Sequence, residues 1–592
     1  MKKYITILFI LIFCGSISLY SQTKIKIDDI NAYKKVDQET LFVHFNTSFL
    51  LAGERLYYKV YCLNSKTKIL SNFSKIAYVE LISSNSDIIF KHKIRLDSGL
   101  GQGDFFVPAS ILSGNYKLIA YTQWMRNGGE NNFFQNEISI INPFNENQNE
   151  IFFNRELTDT VQKFEIKDGV DTVGFISEKN SNELIQLKFE KKKFKSREKI
   201  SLLINNLKDK ESFGNYSVSV RKIEEIKEPE KLTSKNYSFL FSESTNLKIK
   251  DSIYLPELRG ELLSGKVTFL DSNKIASNVK VALSIPGRDY VFKIANTNNQ
   301  GIFYFNIAEE YNNSKATIQV ISNGGNNFEI MLDKQVSFKY EDLEFNKFWI
   351  SQKANDVILK HSVFNQIENA YANVKQDTIH DIKQIVPFFG SNLKDYILDD
   401  YTRFPTIKET FIEIVDLVFL SKKNGVNSLN VVGIKASSDS GFWPLVLLDG
   451  LIILDIDELL KFNAKKVKKI SVLTEKYIYG SQLFEGVISI ETNDSDYQNS
   501  FSEDFIKNVE LFKPLPIKNY FNQIYDGSND LARIPDYRNQ LLWKSNFIIN
   551  NREKNIITFF SSNNVGNYEI SFEGFTNEGI PISLKEVFSV EN

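Results

Sequence analysis

The 592 residues carry 71 Lys and Arg against 73 Asp and Glu, a formal net charge of -2, so no basic excess points to nucleic acid. The chain is 42% hydrophobic and 24% charged, which excludes a disordered protein, and its length implies about four to six domains. Aromatic residues reach 13%, with 48 Phe and 26 Tyr, which favours β structure.

Residues 1–21 read as a secretory signal, with Lys2 and Lys3 ahead of the apolar run ITILFILIF and small residues near Ser21. Phe13 precedes Cys14 where a lipoprotein signal needs a small residue, so lipidation is not expected. Once Cys14 is removed, Cys62 is alone and no disulfide framework can form. Its place in the alternating LYYKVYCLN points to a buried, inert thiol. No later run approaches the roughly 18 apolar residues of a membrane-spanning helix, so no direct membrane span is expected.

The segment 22–143 reads as a β-sandwich. TLFVHFNTSFLLAGERLYYKVYCLN alternates apolar and polar positions across the turn at Ala52-Gly53, and GDFFVPASILSGNYKLIAYTQWMRN does so around Ser113-Gly114. These stretches together resemble the macroglobulin domain of alpha-2-macroglobulin-like proteins of Bacteroidota. Residues 144–228, with IQLKFEKKKFKSREKISLLINN and NYSVSVRKIEEI, read as a second sandwich of the same type. The polar stretch 229–257 reads as a linker.

From 258 to 342, short strands recur every eight to twelve residues or so, the spacing of a sandwich. GKV, the strand Val279–Leu283 and TNNQGIFYFNI with its turn at Gly301 resemble the carboxypeptidase regulatory-like domain, a support module without catalytic residues. The period then changes. FNQIENAYANVKQDTIHDIKQIV and IKETFIEIVDLVFLSKK place apolar residues at helical spacing, with Pro405 at the first turn of the second helix.

Next comes PLVLLDGLIILDIDELLKFNAKKVKKISVLTEKYIYGSQLFEGVISIET. It predicts a strand ending in the turn Asp449-Gly450, a short helix capped by Asp455 with Glu458 reaching back, a strand KKISVLTE, a turn at Tyr479-Gly480-Ser481, and a strand beginning at Gly486. This β-α-β-β order resembles the plug domain of TonB-dependent receptors. About a hundred residues follow Thr492, whereas such a receptor needs about 22 strands of about ten residues each, so no barrel is expected. The sheet of this domain, placed at 343–505, is therefore expected to be covered by the helical segment of 343–428. Residues 506–592, with NQLLWKSNFII and YEISFEGFTNEG, read as a C-terminal sandwich and resemble a macroglobulin strand pattern. The Cys-Gly-Glu-Gln thioester motif of that family is absent.

No pattern carries catalysis or a cofactor. Gly99, Gly101 and Gly103 precede the strand-like DFFVPASIL and read as a sandwich turn, not a phosphate loop. His44, His92, His361 and His380 lack metal-ligand spacing. Asp399-Asp400 and Asp455-Asp457-Glu458 read as helix-end residues. Thr160, Thr172, Ser252 and Thr378 lie in short patterns that resemble the Bacteroidota O-glycosylation signal.

The expected fold is therefore mainly β: several β-sandwich modules in series plus one α+β plug-like domain with helices. The expected function is a non-enzymatic, exported scaffold at the outer membrane, on its periplasmic or cell-surface side, that docks on an outer-membrane β-barrel or membrane-complex protein. One alternative is an accessory subunit of a transport or secretion complex whose plug-like domain closes a barrel in trans. A hydrolase is the remaining one.

Overall fold

The computed structural model describes residues 24–26, 36–146 and 181–240, and 252–592 apart from short internal stretches, the longest being 322–326, 334–337, 381–387, 433–441, 498–505 and 526–532. The signal-like residues 1–21 lie outside the described residues. The described chain is mainly β, built from several sandwiches and one mixed α+β layer. It divides into two compact units, a larger one of 25–258, 337–380 and 514–592, and a smaller one centred on 259–336 and 381–513.

In the larger unit, a three-stranded sheet of Glu39–Phe45, Arg55–Asn64 and Leu100–Phe106 belongs with a five-stranded sheet of Phe49–Leu51, Phe134–Ile141, Gly114–Tyr121, Ile76–Ser83 and Ile88–Arg95. Their inward side chains form one core that includes Phe42, Leu56, Tyr58, Val79 and Leu118. Cys62 is wholly buried there, and burial pushes its thiol pKa up. Gly99 turns a hairpin at φ 80°, while Gly101 and Gly103 lie in the strand that follows. A Cβ at Gly103 would collide with the Tyr58 ring, so the glycine there serves packing.

The second core of this unit corrects the expected boundaries. One sheet orders Ile185–Phe189, Lys199–Asn206 and Asn555–Phe560. The other orders Lys193–Lys195, Pro581–Glu591, Gly566–Thr576, Gly214–Lys222 and Gln540–Ile549. The expected sandwiches at 144–228 and 506–592 are thus halves of one sandwich with a shared core of Ile200, Val218, Ile549, Phe572 and Leu584. Neither half has enough strands to cover its own inner face, and Gly214–Lys222 finds both hydrogen-bonded neighbours in the distant half.

The expected linker of 229–257 is also structured in part. Ser234–Leu240 is a helix, and its Tyr237 is wholly buried against Phe42 and Phe134, with ring centroids 5.6 and 6.0 Å away. The helix Asn355–Ala370 belongs to this unit too, with Ile358 packed among Phe49, Leu51 and Ile141. The expected domain of 343–505 is therefore divided, because the apolar stripe of that helix finds its partners in the first sandwich.

In the smaller unit, Glu261–Phe269, Ile302–Ile307 and Phe328–Leu332 form one sheet, and Val291–Asn296, Lys280–Ile285, Lys315–Val320 and Ile506–Glu510 the other. The last strand was expected in the C-terminal sandwich. It instead pairs with Lys315–Val320 and brings Val509 and Leu511 to this core. Gly301 turns at φ 73° before Ile302–Ile307, as the sequence predicts.

A mixed sheet runs Lys394–Ile397, Val467–Leu473, Val487–Thr492, Leu445–Leu448 and Leu451–Ile452. Both of its faces are buried within the unit. Val446, Leu448, Ile470, Val472 and Ile490 lie under the helices Ile407–Glu413 and Ile456–Lys461 and the hairpin of Val418–Lys423 and Val426–Val431. Leu445, Leu447, Leu473 and Val487 on the other face meet Ala282, Phe292 and Ile321 of the neighbouring sandwich. The expected cover by the whole of 343–428 is corrected. Among the described residues of that segment, only the short helix starting at Ile407 covers the sheet as a helix, and FIEIVDLVFLSKK leaves helix after Glu413 to become a strand from Val418. Its β-branched Ile414, Val415 and Val418 favour that change, and Asn424-Gly425 is a hairpin signal.

Candidate functional site

The six residues of the sequence motif are all used inside the smaller unit. Asp449 and Gly450 form a two-residue hairpin at φ 49° and 84° between the paired Leu448 and Leu451. The turn places the Asp449 carboxylate, 2% exposed, to accept from Thr492 N at 2.8 Å, Thr492 Oγ1 at 2.6 Å and Tyr497 N at 3.3 Å. Asp449 thereby ties the first strand of the sheet to the end of a later one. A Cβ on Gly450 would collide with Tyr290 of the neighbouring sandwich.

The turn at Tyr479-Gly480-Ser481 leans the same way. Tyr479 Oη donates to Phe292 O at 2.6 Å, and Ser481 Oγ donates to Asn296 Oδ1 at 2.7 Å. Gly486, at φ 92°, has no room for a Cβ against Leu473 O and Val431. A crevice of about 230 Å³ remains beside this contact, walled by Tyr290, Phe292, Phe388 and Tyr479 and edged by the Lys469–Glu491 ion pair at 2.9 Å.

The glycosylation-like residues are scattered. Thr160 and Thr172 lie outside the described residues, as does the side chain of Ser252, while Thr378 is exposed on a short strand opposite Asn519. The four histidines are likewise apart. His44 is buried, with Nδ1 2.6 Å from Ser217 Oγ, and burial holds its pKa well below the usual value. Burial pushes His92 down to about 4 beside the Tyr58 hydroxyl. His380 is exposed.

The larger unit holds a site that sequence reasoning missed. Gly53 turns at φ 92°, and Glu54 directly after it folds back to accept from Leu51 N at 2.8 Å. Its Oε1 takes Arg221 Nη2 at 2.8 Å and lies 3.0 Å from His361 Nε2, and His361 Nδ1 is 3.6 Å from Glu224. Burial opposes ionisation of Glu54, yet Arg221 and His361 hold its carboxyl well below the usual carboxylate range. The cluster joins the first sandwich, the second sandwich and the helix Asn355–Ala370. The charged residue just after the Ala52-Gly53 turn was visible in the sequence, but its partners are too far along the chain to be read there.

Above this cluster opens a cleft of about 650 Å³. Tyr57 and Phe106 come from the first sandwich, Trp543 from the second, Asn365 from the helix, and Lys518 and Tyr520 from the last connection. A short way off, Lys59 is 1% exposed, and its ammonium donates to Asn215 Oδ1 at 2.5 Å and to Asn546 Oδ1. Burial pushes its pKa down to about 7. Among the described residues, no group of three His, Cys, Asp or Glu side chains is placed to hold a metal ion.

The fold is thus that of a multi-domain, β-sandwich-rich protein. No protein-family model matches the chain, and no curated protein matches it in sequence. Among solved structures it is similar to Escherichia coli alpha-2-macroglobulin activated by porcine elastase, at 8% identity and TM-score 0.24, over 93% of this chain and 44% of that one. It is similar to Salmonella alpha-2-macroglobulin reacted with methylamine at 8% identity and TM-score 0.15, over 93% and 23%. It is also similar to dimeric latent PorU from Porphyromonas gingivalis at 10% identity and TM-score 0.14, over 54% and 34%. The chain spans less than half the length of each.

Proposed function

We propose that the chain is a non-enzymatic, exported interaction scaffold that acts at the outer membrane by docking on a β-barrel partner. The signal-like N-terminus supports export. The serial sandwiches support a scaffold. The observation that carries most weight is the cover of the mixed sheet: both faces are buried by residues of the same unit. A sheet so covered has no need of a barrel wall, which favours a docking scaffold over a plug that closes a barrel in trans. No Cys-Gly-Glu-Gln motif is available for covalent capture of a protease.

The test is affinity purification of the tagged protein from outer-membrane fractions, with mass spectrometry of what accompanies it and a salt wash. A barrel protein enriched with it, and release of the chain by high salt, are the expected results. Retention until detergent is added, or acyl chains on Cys14, would overturn the reading.

A further inference from the structure

The crevice beside Tyr479 in the smaller unit has a chemistry that scaffolding alone leaves unused. Its wall is aromatic. The Phe388 ring centroid lies 4.4 Å from that of Tyr479 and 5.5 Å from that of Phe292, and Tyr290 stands at 83° to Phe388, 6.5 Å away. Tyr290, Phe388 and Tyr479 are each half-buried, so part of each ring stays within reach of solvent. At about 230 Å³ the crevice falls below the roughly 300 Å³ at which small-molecule pockets begin, and its size suits a single side chain.

The rim is acidic. Glu309 and Glu491 edge the crevice with side chains 33% and 38% exposed. Lys293 pairs with Glu309, and Lys469 lies 2.9 Å from Glu491 and 3.9 Å from Asp395. With these partners counted, and Asp289 of the lining added, four carboxylates stand against two ammonium groups. That is an excess of two negative charges among the described residues. Arg288, the chain neighbour of Asp289, would reduce the excess to one, and the adjoining 381–387 carries one Asp and one Lys, which cancel. The carboxylates also act on the rings. Burial first, and then Glu491, raises the pKa of the Tyr290 hydroxyl, and burial and then Glu309 raises that of Tyr479.

An aromatic wall beside an excess of carboxylate is an environment for an organic cation, because the face of each ring attracts positive charge. A neutral sugar would gain nothing from the excess. Between the two cationic side chains, arginine fits better. Its guanidinium is flat, stacks on aromatic faces, sheds water more readily than an ammonium, and carries five donors and no acceptor.

We infer that this crevice receives the guanidinium of an arginine on a partner protein, stacked on the wall of Tyr290, Phe388 and Tyr479 with its N–H groups toward Glu309 and Glu491. From the scaffold reading it takes only that the partner is a protein. It concerns purified components in solution, so its failure leaves the membrane pull-down intact, and the converse also holds.

The experiment is fluorescence anisotropy of the full chain with a labelled Gly-Gly-Arg-Gly-Gly peptide, beside the same peptide with citrulline, the uncharged analogue of arginine, and with lysine at the central position. The arginine peptide should bind at least tenfold more tightly than the citrulline peptide, and more tightly than the lysine peptide. Glu309→Gln and Glu491→Gln should each weaken it about fivefold or more while melting as the natural protein does. Glu310→Gln, on the exposed neighbour that does not line the crevice, should leave it unchanged. Should one of the two rim variants fail to fold, the other decides. Equal binding of the arginine and citrulline peptides, lysine binding as tight as arginine, binding unchanged in the folded rim variants, or an equal loss in Glu310→Gln would each overturn the assignment.

Discussion

Lys59 is an ammonium placed where water cannot reach it, held by two amide oxygens and no carboxylate. Its folded pKa of about 7 lies below the unfolded value of 10.5. Between those values the unfolded chain holds a proton that the folded chain has lost, so stability rises with pH across that window. Below about pH 7 both states are protonated and the cost of the buried charge is fully present. Thermal melting of the natural protein should therefore gain up to about 2 kcal/mol from this group between pH 7 and pH 9. In Lys59→Met that rise should be lost.

Glu54 runs the other way. Its folded pKa is depressed, so its contribution is present above its ordinary value of 4.5 and fades as pH falls below it. Glu54→Gln leaves Arg221 buried beside a neutral partner and should cost about 3–5 kcal/mol near neutral pH. The gap from the natural protein should narrow by pH 3, as denaturant unfolding at the two pH values would show.

At the scale of elements, the mixed sheet depends on small covering pieces. Ile407–Glu413 is only two turns long, so packing and its capping box, Thr406 with Glu409, must hold it. Phe411 on its inner face is 1% exposed, while Ile412 beside it is 60% exposed. Phe411→Ala should cost about 3–5 kcal/mol and Ile412→Ala less than about 0.5, measured by chemical denaturation. If the two cost the same, the helix does not cover the sheet. Ile490→Asp, at a wholly buried position under that cover, should cost about 4 kcal/mol or more, because an unpaired charge would enter the core.

At the scale of the molecule, the second sandwich of the larger unit is assembled from strands within 185–222 and strands within 540–591, far apart in the chain. Ending the chain before Gln540 would leave Gly214–Lys222 with neither of its neighbours. Limited proteolysis of that truncation should then cut within 181–222, a region that resists in the whole chain. Two separate sandwiches would instead leave 181–222 protected.

Much of this was open to sequence reading, and the part that was is local. The strands around Leu56–Cys62 and Val487–Ile490, the Asp449-Gly450 hairpin, and the helix that begins after Asp455, whose carboxylate accepts from Glu458 N at 3.1 Å, all follow from side-chain period, turn chemistry and capping within a few residues. Side-chain period and turn signals state that a stretch runs as a strand, because that is a property of one strand; that both faces of these two strands are buried was decided by the layers on either side. Nor do they state the neighbour, because every strand offers the same backbone donors and acceptors along its edges. The union of 181–222 with 540–591, the place of Ile506–Glu510, and the meeting of Glu54 with Arg221 and His361 were decided only in the tertiary structure, where core shape and charge select among partners far apart in the chain.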